Sequence, residues 1–160
     1  MTVNFILNGD DIVVRTAPER RLIDILRDDF GLLAAKPGCR AGLCGACTVF
    51  LDGHLVNACL VPAFRLGGRE VITLEGFSQT DEYTDIAHGF SQSGLDTCGF
   101  CDAGKILSAE ALLARNLRPS KEEALAAFRG VRCACTDPDS LAAAVLAAAD
   151  IRRRRLYGRG

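Results

Sequence analysis

The chain lacks the features that would place it in several large functional classes. Its 160 residues carry a formal net charge of −1, and its only basic run is residues 152–155, so composition gives no general case for nucleic-acid binding. It has no long apolar run for a membrane span, and no basic start with an apolar segment that would predict an export signal. We therefore expect a cytoplasmic globular protein. The basic run is expected to be a solvated helix end or, alternatively, a contact for an acidic partner.

Sites for substrate chemistry are also missing from the sequence. There is no glycine-rich dinucleotide fingerprint and no P-loop. Ser91, Ser93 and Ser108 have no convincing His/Asp partners for nucleophilic catalysis. His54 and His88 are the only two histidines, and neither is needed as a metal ligand in a chain that is rich in thiols. We expect no catalytic residues and no turnover by this chain alone.

Cysteine is the residue that the chain has in unusual number, with eight in two groups. Because a protein that is not exported keeps its thiols reduced, this number predicts metal binding more than disulfides. The first group follows C-x4-C-x2-C, then eleven residues and a fourth cysteine, which is the spacing of plant-type ferredoxins. It consists of Cys39, Cys44, Cys47 and Cys59.

Glycines accompany the first group. Gly38, Gly42 and Gly45 lie where a backbone that curls around an inorganic core needs positive φ or close approach. The amides of such a loop could donate hydrogen bonds to the sulfurs and help set the potential. A tetrahedral zinc site is the alternative, but zinc usually takes two C-x2-C pairs. A triplet with a distant fourth cysteine on a predicted strand favours a [2Fe-2S] cluster.

The second group consists of two pairs. Cys98 and Cys101 form C-x2-C, and 31 residues separate them from Cys133 and Cys135, which form C-x-C. Spacing alone allows zinc, a disulfide pair or a second cluster. Placement favours a cluster, because the first pair lies at a predicted helix N-terminus and the second in a loop before another helix, where helix dipoles stabilise thiolates.

Residues 1–76 show a pattern that predicts strands around one helix. Asn8-Gly9 and Asp52-Gly53 are strong hairpin signals. A helix is expected after Thr16, which forms a capping pattern with Glu19. This inventory of a mixed sheet and one helix predicts a β-grasp, ferredoxin-like domain. Further strands are expected over residues 48–51, 54–59 and 71–74.

Residues 77–160 show helical signals instead, after a polar connector over residues 75–80. Ser120 and Glu123 form a capping box, and Asp137-Pro138 precedes the last helix. We therefore predict an α+β chain whose second domain is a four-helix bundle. The helices are expected over residues 83–90, 103–117, 121–128 and 141–151.

Two uncommon patterns in a fixed order also carry a resemblance. Residues 39–51 and the run Cys98-Gly99-Phe100-Cys101 are similar to the two cluster signatures of the iron–sulfur subunit of the xanthine dehydrogenase family of molybdenum hydroxylases. The resemblance covers the whole chain and implies one [2Fe-2S] cluster in each domain, with Gly42, Gly45 and Gly99 beside them. It further implies an FAD subunit and a molybdopterin subunit, in a heterotrimer or its dimer. The helical cluster is then expected nearer molybdenum and the other nearer FAD.

Departures from the family pattern fall around the second group. Thr97 stands where the family usually has a Gln that hydrogen-bonds the pterin, and Thr is too short for the same reach. Asp102-Ala103-Gly104 stands for Thr-Pro-Gly, and residues 133–138 read Cys-Ala-Cys-Thr-Asp-Pro rather than Cys-Arg-Cys-Thr-Gly-Tyr. Three hypotheses follow. The chain carries electrons between molybdopterin and FAD, or it serves a flavin enzyme without molybdenum, or it is a zinc-stabilised interaction module.

Overall fold

The computed structural model describes residues 1–158 and contains a mixed β-sheet followed by helices. The sheet has five strands in the order β2-β1-β5-β3-β4, in which β1 and β5 are parallel and the other neighbours antiparallel. The predicted α+β class is confirmed at this level. The strands are β1 (Thr2–Leu7), β2 (Asp10–Arg15), β3 (Thr48–Leu51), β4 (His54–Asn57) and β5 (Glu70–Ile72).

Both predicted hairpins are present. Asn8 and Gly9 have φ values of 52° and 92°, and Asp52 and Gly53 have φ values of 49° and 76°. Positive φ at both central residues is the geometry of the two-residue turn whose twist matches that of antiparallel strands. The turns therefore set the register, which pairs Leu7 with Asp10 in the first hairpin and Leu51 with His54 in the second.

The helix expected after Thr16 begins later, and that prediction is wrong. Helix α1 spans Leu22–Asp24, has no side-chain cap, and continues as a π-helical turn over Ile25–Asp29. The segment before it pairs with a distant part of the chain, where the Ala63 amide donates to the Arg20 carbonyl at 2.8 Å. The Thr16 amide, which the Glu19 side chain of a capping box would need, donates to the Met1 carbonyl at 2.9 Å, so the local signal is overridden.

Two further predicted strand ends are wrong. Strand β4 ends at Asn57, and Cys59 lies in a 3₁₀ turn (Ala58–Leu60) rather than on a strand. The expected strand over residues 71–74 ends at Ile72, and a short helix, α2 (Leu74–Phe77), occupies part of the expected connector.

Four longer helices follow, each overlapping a predicted one. The Ser120 hydroxyl accepts from the Glu123 amide while the Glu123 carboxylate accepts from the Ser120 amide, so the predicted capping box is confirmed. Asp137 caps the last helix, with Pro138 in its first turn. The helices are α3 (Asp81–Gln92), α4 (Asp102–Leu113), α5 (Lys121–Ala127) and α6 (Pro138–Tyr157).

Helices α3 and α6 pack closely because small residues face each other. A Cβ added at Gly89 would lie 2.5 Å from the Ala148 amide nitrogen. Further along α6, the buried Arg152 donates to Asp85 of α3 at 3.1 Å and to Glu110 of α4 at 2.7 Å. Arg155 donates to Asp85 at 2.8 Å. The expectation that residues 152–155 form a solvated helix end is therefore wrong for Arg152, whereas Arg155 is paired but exposed.

Two apolar cores support the structure. One lies between the sheet and α1, and the other joins the helices to Phe50 of β3. Phe77 of α2 stacks edge-on against Phe50, with ring centroids 6.5 Å apart. The second core thus ties the helical part to the sheet. Within residues 1–158, no helix has the length and hydropathy needed to cross a membrane.

Candidate metal centres

The first thiol group lies in the irregular segment before β3 and in the turn after β4. Cys39 is exposed and Cys44 half-buried, whereas Cys47 and Cys59 are buried. The Ala58 amide donates to the Cys47 carbonyl at 3.0 Å, which brings the turn that carries the fourth cysteine against the other three. The structure therefore gathers the group on one edge of the sheet.

Backbone amides of the first loop point at sulfur. Cys39 Sγ accepts from the amides of Ala41, Leu43 and Cys44 at 3.4, 3.2 and 3.3 Å. These hydrogen bonds lower the pKa of the Cys39 thiol to about 6, because amide dipoles favour the thiolate. The Cys39 amide in turn donates to Cys44 Sγ at 3.4 Å. The loop is thus shaped to hold negative sulfur.

The buried thiol of Cys47 has a pKa shifted in the opposite direction from that of Cys39. Burial raises the pKa of the Cys47 thiol to about 12, so this thiol is neutral until a cation replaces its proton. Gly38 does not have the positive φ expected of it, but a Cβ there would lie 2.9 Å from Cys44 Sγ. It therefore serves close approach. Gly42 and Gly45 have positive φ, at 72° and 73°.

The second group surrounds the start of α4. Cys101 is the N-cap residue of that helix, and Cys98 lies in the preceding loop, next to Gly99 with its φ of 84°. Cys133 and Cys135 lie in the loop before α6, with their sulfurs 3.4 Å apart. Both placements agree with the prediction from sequence.

In this group too, the pKa is raised for a buried thiol and lowered for an exposed one. Burial raises the pKa of the Cys101 thiol to about 11. The hydroxyl of Thr136 and neighbouring hydrogen bonds lower the pKa of the exposed Cys135 thiol to about 6. As in the first group, a thiolate at the surface faces a neutral thiol inside.

Lys105 is a residue of the second centre that the sequence reasoning missed. Its side chain is fully buried, and Nζ lies 3.6 Å from Cys135 Sγ and 3.1 Å from Thr136 Oγ1. Burial alone would lower the pKa of the ammonium, but the hydrogen bond to Cys133 and the nearby thiolates outweigh burial and raise it. Its position one helical turn after Cys101, in an otherwise apolar stretch, is the signal that could have revealed it.

Two of the departures from the family pattern, Thr97 and Asp102, contact each other and lie beside Lys105. The Thr97 hydroxyl donates to Asp102 Oδ2 at 2.8 Å. The other oxygen of Asp102 is buried without a hydrogen bond within residues 1–158, and it lies 3.9 Å from Lys105 Nζ. Thr97, Asp102 and Lys105 therefore form a continuous polar line from the surface to the sulfurs.

The two thiol groups adjoin through backbone. The Arg132 amide, next to Cys133, donates to the Cys44 carbonyl at 2.9 Å. A Cβ at Gly45 would lie 2.4 Å from the Gly130 carbonyl oxygen, and one at Gly104 would lie 2.5 Å from the Gly45 carbonyl oxygen. The first loop thus touches both segments that carry the second group, which provides a short path between the two centres.

The donor chemistry suits iron–sulfur clusters. Within residues 1–158 no cysteine forms a disulfide, so each group offers its thiols as ligands. Amides aimed at sulfur, together with a glycine that leaves no room for a side chain beside Cys44, are features of sites that enclose a cluster. Within the same residues, no three Cys, His, Asp or Glu side chains are arranged to hold a single metal ion. His54 and His88 are both exposed and lie outside the two groups.

Comparison with known families decides between cluster and zinc. Residues 5–66 match the model described as a 2Fe-2S iron-sulfur cluster binding domain, and residues 73–146 match the [2Fe-2S] binding domain. The nicotinate dehydrogenase small FeS subunit of Eubacterium barkeri is 41% identical, over 91% of this chain and 92% of that one. The chain belongs to the iron–sulfur subunit family of the molybdenum hydroxylases. The hypothesis of a zinc-stabilised module is not supported.

Solved structures give the same result. The quinoline 2-oxidoreductase of Pseudomonas putida 86 contains a chain with a TM-score of 0.87 and 34% identity, covering 96% of both chains. The aldehyde oxidoreductase of Desulfovibrio desulfuricans has a TM-score of 0.86 and 39% identity, covering 95% of this chain but 17% of that one. In that enzyme the matching region is one part of a longer polypeptide.

Proposed function

We propose that this chain is the electron-transfer subunit of a molybdenum- and flavin-containing oxidoreductase, carrying electrons between a molybdopterin centre and FAD on partner subunits. The observation that carries the proposal is the direct backbone contact between the two thiol groups, at Gly45 and Gly104. Bound [2Fe-2S] clusters supply one-electron transfer, and the chain holds them next to each other. It contributes no catalytic residue to the substrate reaction.

The proposed ligands are the eight thiols. Gly42 and Gly45 shape the first loop, and Gly99 shapes the second. The domains are proposed as residues 1–76 and 77–160, the second being a four-helix bundle of α3, α4, α5 and α6. The ligands of the first cluster are Cys39, Cys44, Cys47 and Cys59, and those of the second are Cys98, Cys101, Cys133 and Cys135.

The proposed partners are an FAD-binding subunit and a molybdopterin-binding subunit, in a cytoplasmic heterotrimer or its dimer. Relatives named for nicotinate, quinoline and aldehydes suggest that the substrate of the complex is an aromatic nitrogen heterocycle or an aldehyde. Because this chain has no substrate site of its own, the choice between them belongs to the molybdopterin subunit.

Thr97 is proposed to face the pterin at the second centre. Its hydroxyl proton is already donated to Asp102, so a contact with the pterin, direct or through one water, would use the lone pairs of the hydroxyl. The same observation favours a second candidate, a flavin enzyme without molybdenum, since the donor that the family's Gln provides is not replaced.

Cofactor analysis of the native complex, purified through a tag on this chain, separates the two candidates. We expect molybdenum, pterin and flavin in equal amounts, together with iron and labile sulfide. Full iron and stoichiometric flavin without molybdenum or pterin would instead establish the flavin-only enzyme. Turnover of substrate by the isolated chain would contradict both.

A further inference from the structure

We propose that Lys105 supplies a buried positive charge that raises the reduction potential of the second cluster relative to the first. The inference rests on the proposed function, because it takes the second thiol group as the site of a [2Fe-2S] cluster. Nothing in the spacing of the cysteines calls for a lysine at this position.

Geometry holds the ammonium against the sulfurs. The Lys105 side chain is fully buried in α4, and its Nζ donates to Cys135 Sγ at 3.6 Å and to Thr136 Oγ1 at 3.1 Å. The backbone amide of Lys105 bonds to the Cys101 carbonyl at 3.1 Å, which fixes the lysine one turn above a proposed ligand. Complete burial of the side chain and its contacts with Cys135 and Thr136 hold the ammonium beside the sulfurs.

Asp102 forms a long ion pair with this ammonium and offsets part of its charge. Its nearest oxygen is 3.9 Å from Nζ, beyond hydrogen-bond distance, and its other oxygen is occupied by the Thr97 hydroxyl. Two of the close contacts of the ammonium are thus Cys135 and Thr136, on the loop that carries half of the second thiol group. The ammonium lies 3.6 Å from Cys135 Sγ, closer than it lies to Asp102, so Asp102 reduces its effect on the sulfurs without removing it.

The sign of the effect follows from charge. A cluster held by four thiolates gains one negative charge when it accepts an electron, and no bond forms or breaks. A buried cation stabilises the more negative, reduced state by more than the oxidised one, so it raises the potential. Removing the charge lowers the potential.

The first group is an internal reference because, within residues 1–158, no buried ammonium donates a hydrogen bond to its sulfurs. The hydrogen bonds to Cys39 Sγ come from backbone amides of the loop. Arg40 of the same loop directs its guanidinium to Asp24 at 2.8 Å, and Lys36 donates to the Leu33 carbonyl at 2.7 Å. Loss of Lys105 should therefore shift only one of the two centres.

The test is a redox titration of the whole complex, followed by electron paramagnetic resonance, with wild type, Lys105→Met and Lys105→Arg. We expect Lys105→Met to move the electron-sharing equilibrium between the two clusters at least tenfold toward the first, which is about 59 mV for one electron. Lys105→Arg should recover most of that shift. Lys121→Met, which removes an exposed lysine paired with Asp139, is the matched control and should shift neither cluster.

A second measurement needs no variant that alters folding. Wild-type complex labelled with ¹⁵N-lysine should show a lysine nitrogen coupled to the reduced second cluster and none coupled to the first. A variant with Lys105→Arg and full iron should lose that coupling. This experiment can still be carried out if Lys105→Met fails to assemble the second cluster.

The outcomes separate this inference from the proposed function. A wild-type complex without a second cluster signal would overturn the proposed function. Two normal signals with no lysine coupling, or an unchanged potential in fully loaded Lys105→Met, would overturn the role of Lys105 alone.

Discussion

The two thiol groups stabilise negative charge on sulfur with different kinds of donor. Around Cys39, three backbone amides within one short loop supply the positive ends of dipoles. Around Cys135, the donors are side chains, a fully buried Lys105 and the hydroxyl of Thr136. Backbone amides dominate around Cys39, whereas the surroundings of Cys135 depend more on the identity of particular side chains.

This difference suggests which centre can be adjusted by substitution. An amide donor is present whatever the side chain, so the first site tolerates sequence change as long as the loop keeps its path. A buried ammonium is a full charge in a medium of low dielectric, and its loss changes the energy of nearby charges more than the loss of a dipole does. We therefore expect the second centre to vary more in potential among related chains.

The largest effect should come from removing a proposed ligand. Cys101→Ser should abolish or strongly distort the second cluster and leave the first intact, because the two ligand sets share no residue. Cys47→Ser should do the reverse. Electron paramagnetic resonance of the reduced protein, with iron determination, checks both.

Each of these variants serves as the control for the other. If either substitution removed both signals, the two centres would have to share ligands or fold as a single unit. Because the first loop adjoins helix α4 at Gly45 and Gly104, the account allows some broadening of the surviving signal but not its loss.

The next largest effect should be a loss of stability in the helical part when a buried ion pair is removed. Arg152→Met leaves Glu110 without its cation and the buried Asp85 with Arg155 alone, and burial already raises the pKa of the Glu110 carboxyl. We expect a loss of about 3 kcal/mol or more in the free energy of unfolding, measured by denaturant titration. Arg154→Met, at an exposed position in the same run, should change little. Equal effects of the two variants would contradict a structural role for the buried pair.

Contact between the two centres can be tested with a pair of glycines. Gly45→Ala and Gly53→Ala both place a side chain at positive φ, 73° and 76°, but only the first meets a neighbour, the Gly130 carbonyl oxygen at 2.4 Å. We expect Gly45→Ala to cost about 1 to 3 kcal/mol more than Gly53→Ala, as overpacking does. Electron transfer between the clusters should slow only in Gly45→Ala, as followed by rapid-freeze spectroscopy. A matching slowdown in Gly53→Ala would mean that the loop contact is not the path.

The smallest effect is expected at Thr97. Thr97→Val removes the hydrogen bond to Asp102, worth about 1 kcal/mol, and should leave both clusters assembled. Reduction of the second cluster by substrate should slow by less than about tenfold. Thr97→Gln should be tolerated if the pterin lies where the family places it. Loss of the second cluster in Thr97→Val would assign the hydroxyl a structural role instead.

Local signals in the sequence were sufficient for turns, helix caps and the spacing of the thiols. Asn8-Gly9 and the Ser120 capping box act through neighbouring residues, and both form as predicted. The helix expected after Thr16 begins only at Leu22, because the Arg20 carbonyl accepts from the amide of Ala63, which is far away in sequence. A pattern read over a few residues cannot show such a competitor.

The missed parts of the site are also long-range. Arg152 meets Asp85 and Glu110 only when three helices pack together, so the basic run gave no hint of burial. Lys105 reaches the Cys135 loop from a different helix. The assignment of cysteine ligands from spacing stays a prediction, although the structure gathers each group at one place.

Iron and sulfide content, measured together with the spectrum of the reduced protein, tests the central claim most directly. Two different sets of four thiols predict about four iron and four labile sulfide per chain. They also predict two paramagnetic species of different line shape, one from the amide-lined site and one from the site beside Lys105. A single species with about half that iron would contradict the account, because one of the two groups would then hold no cluster.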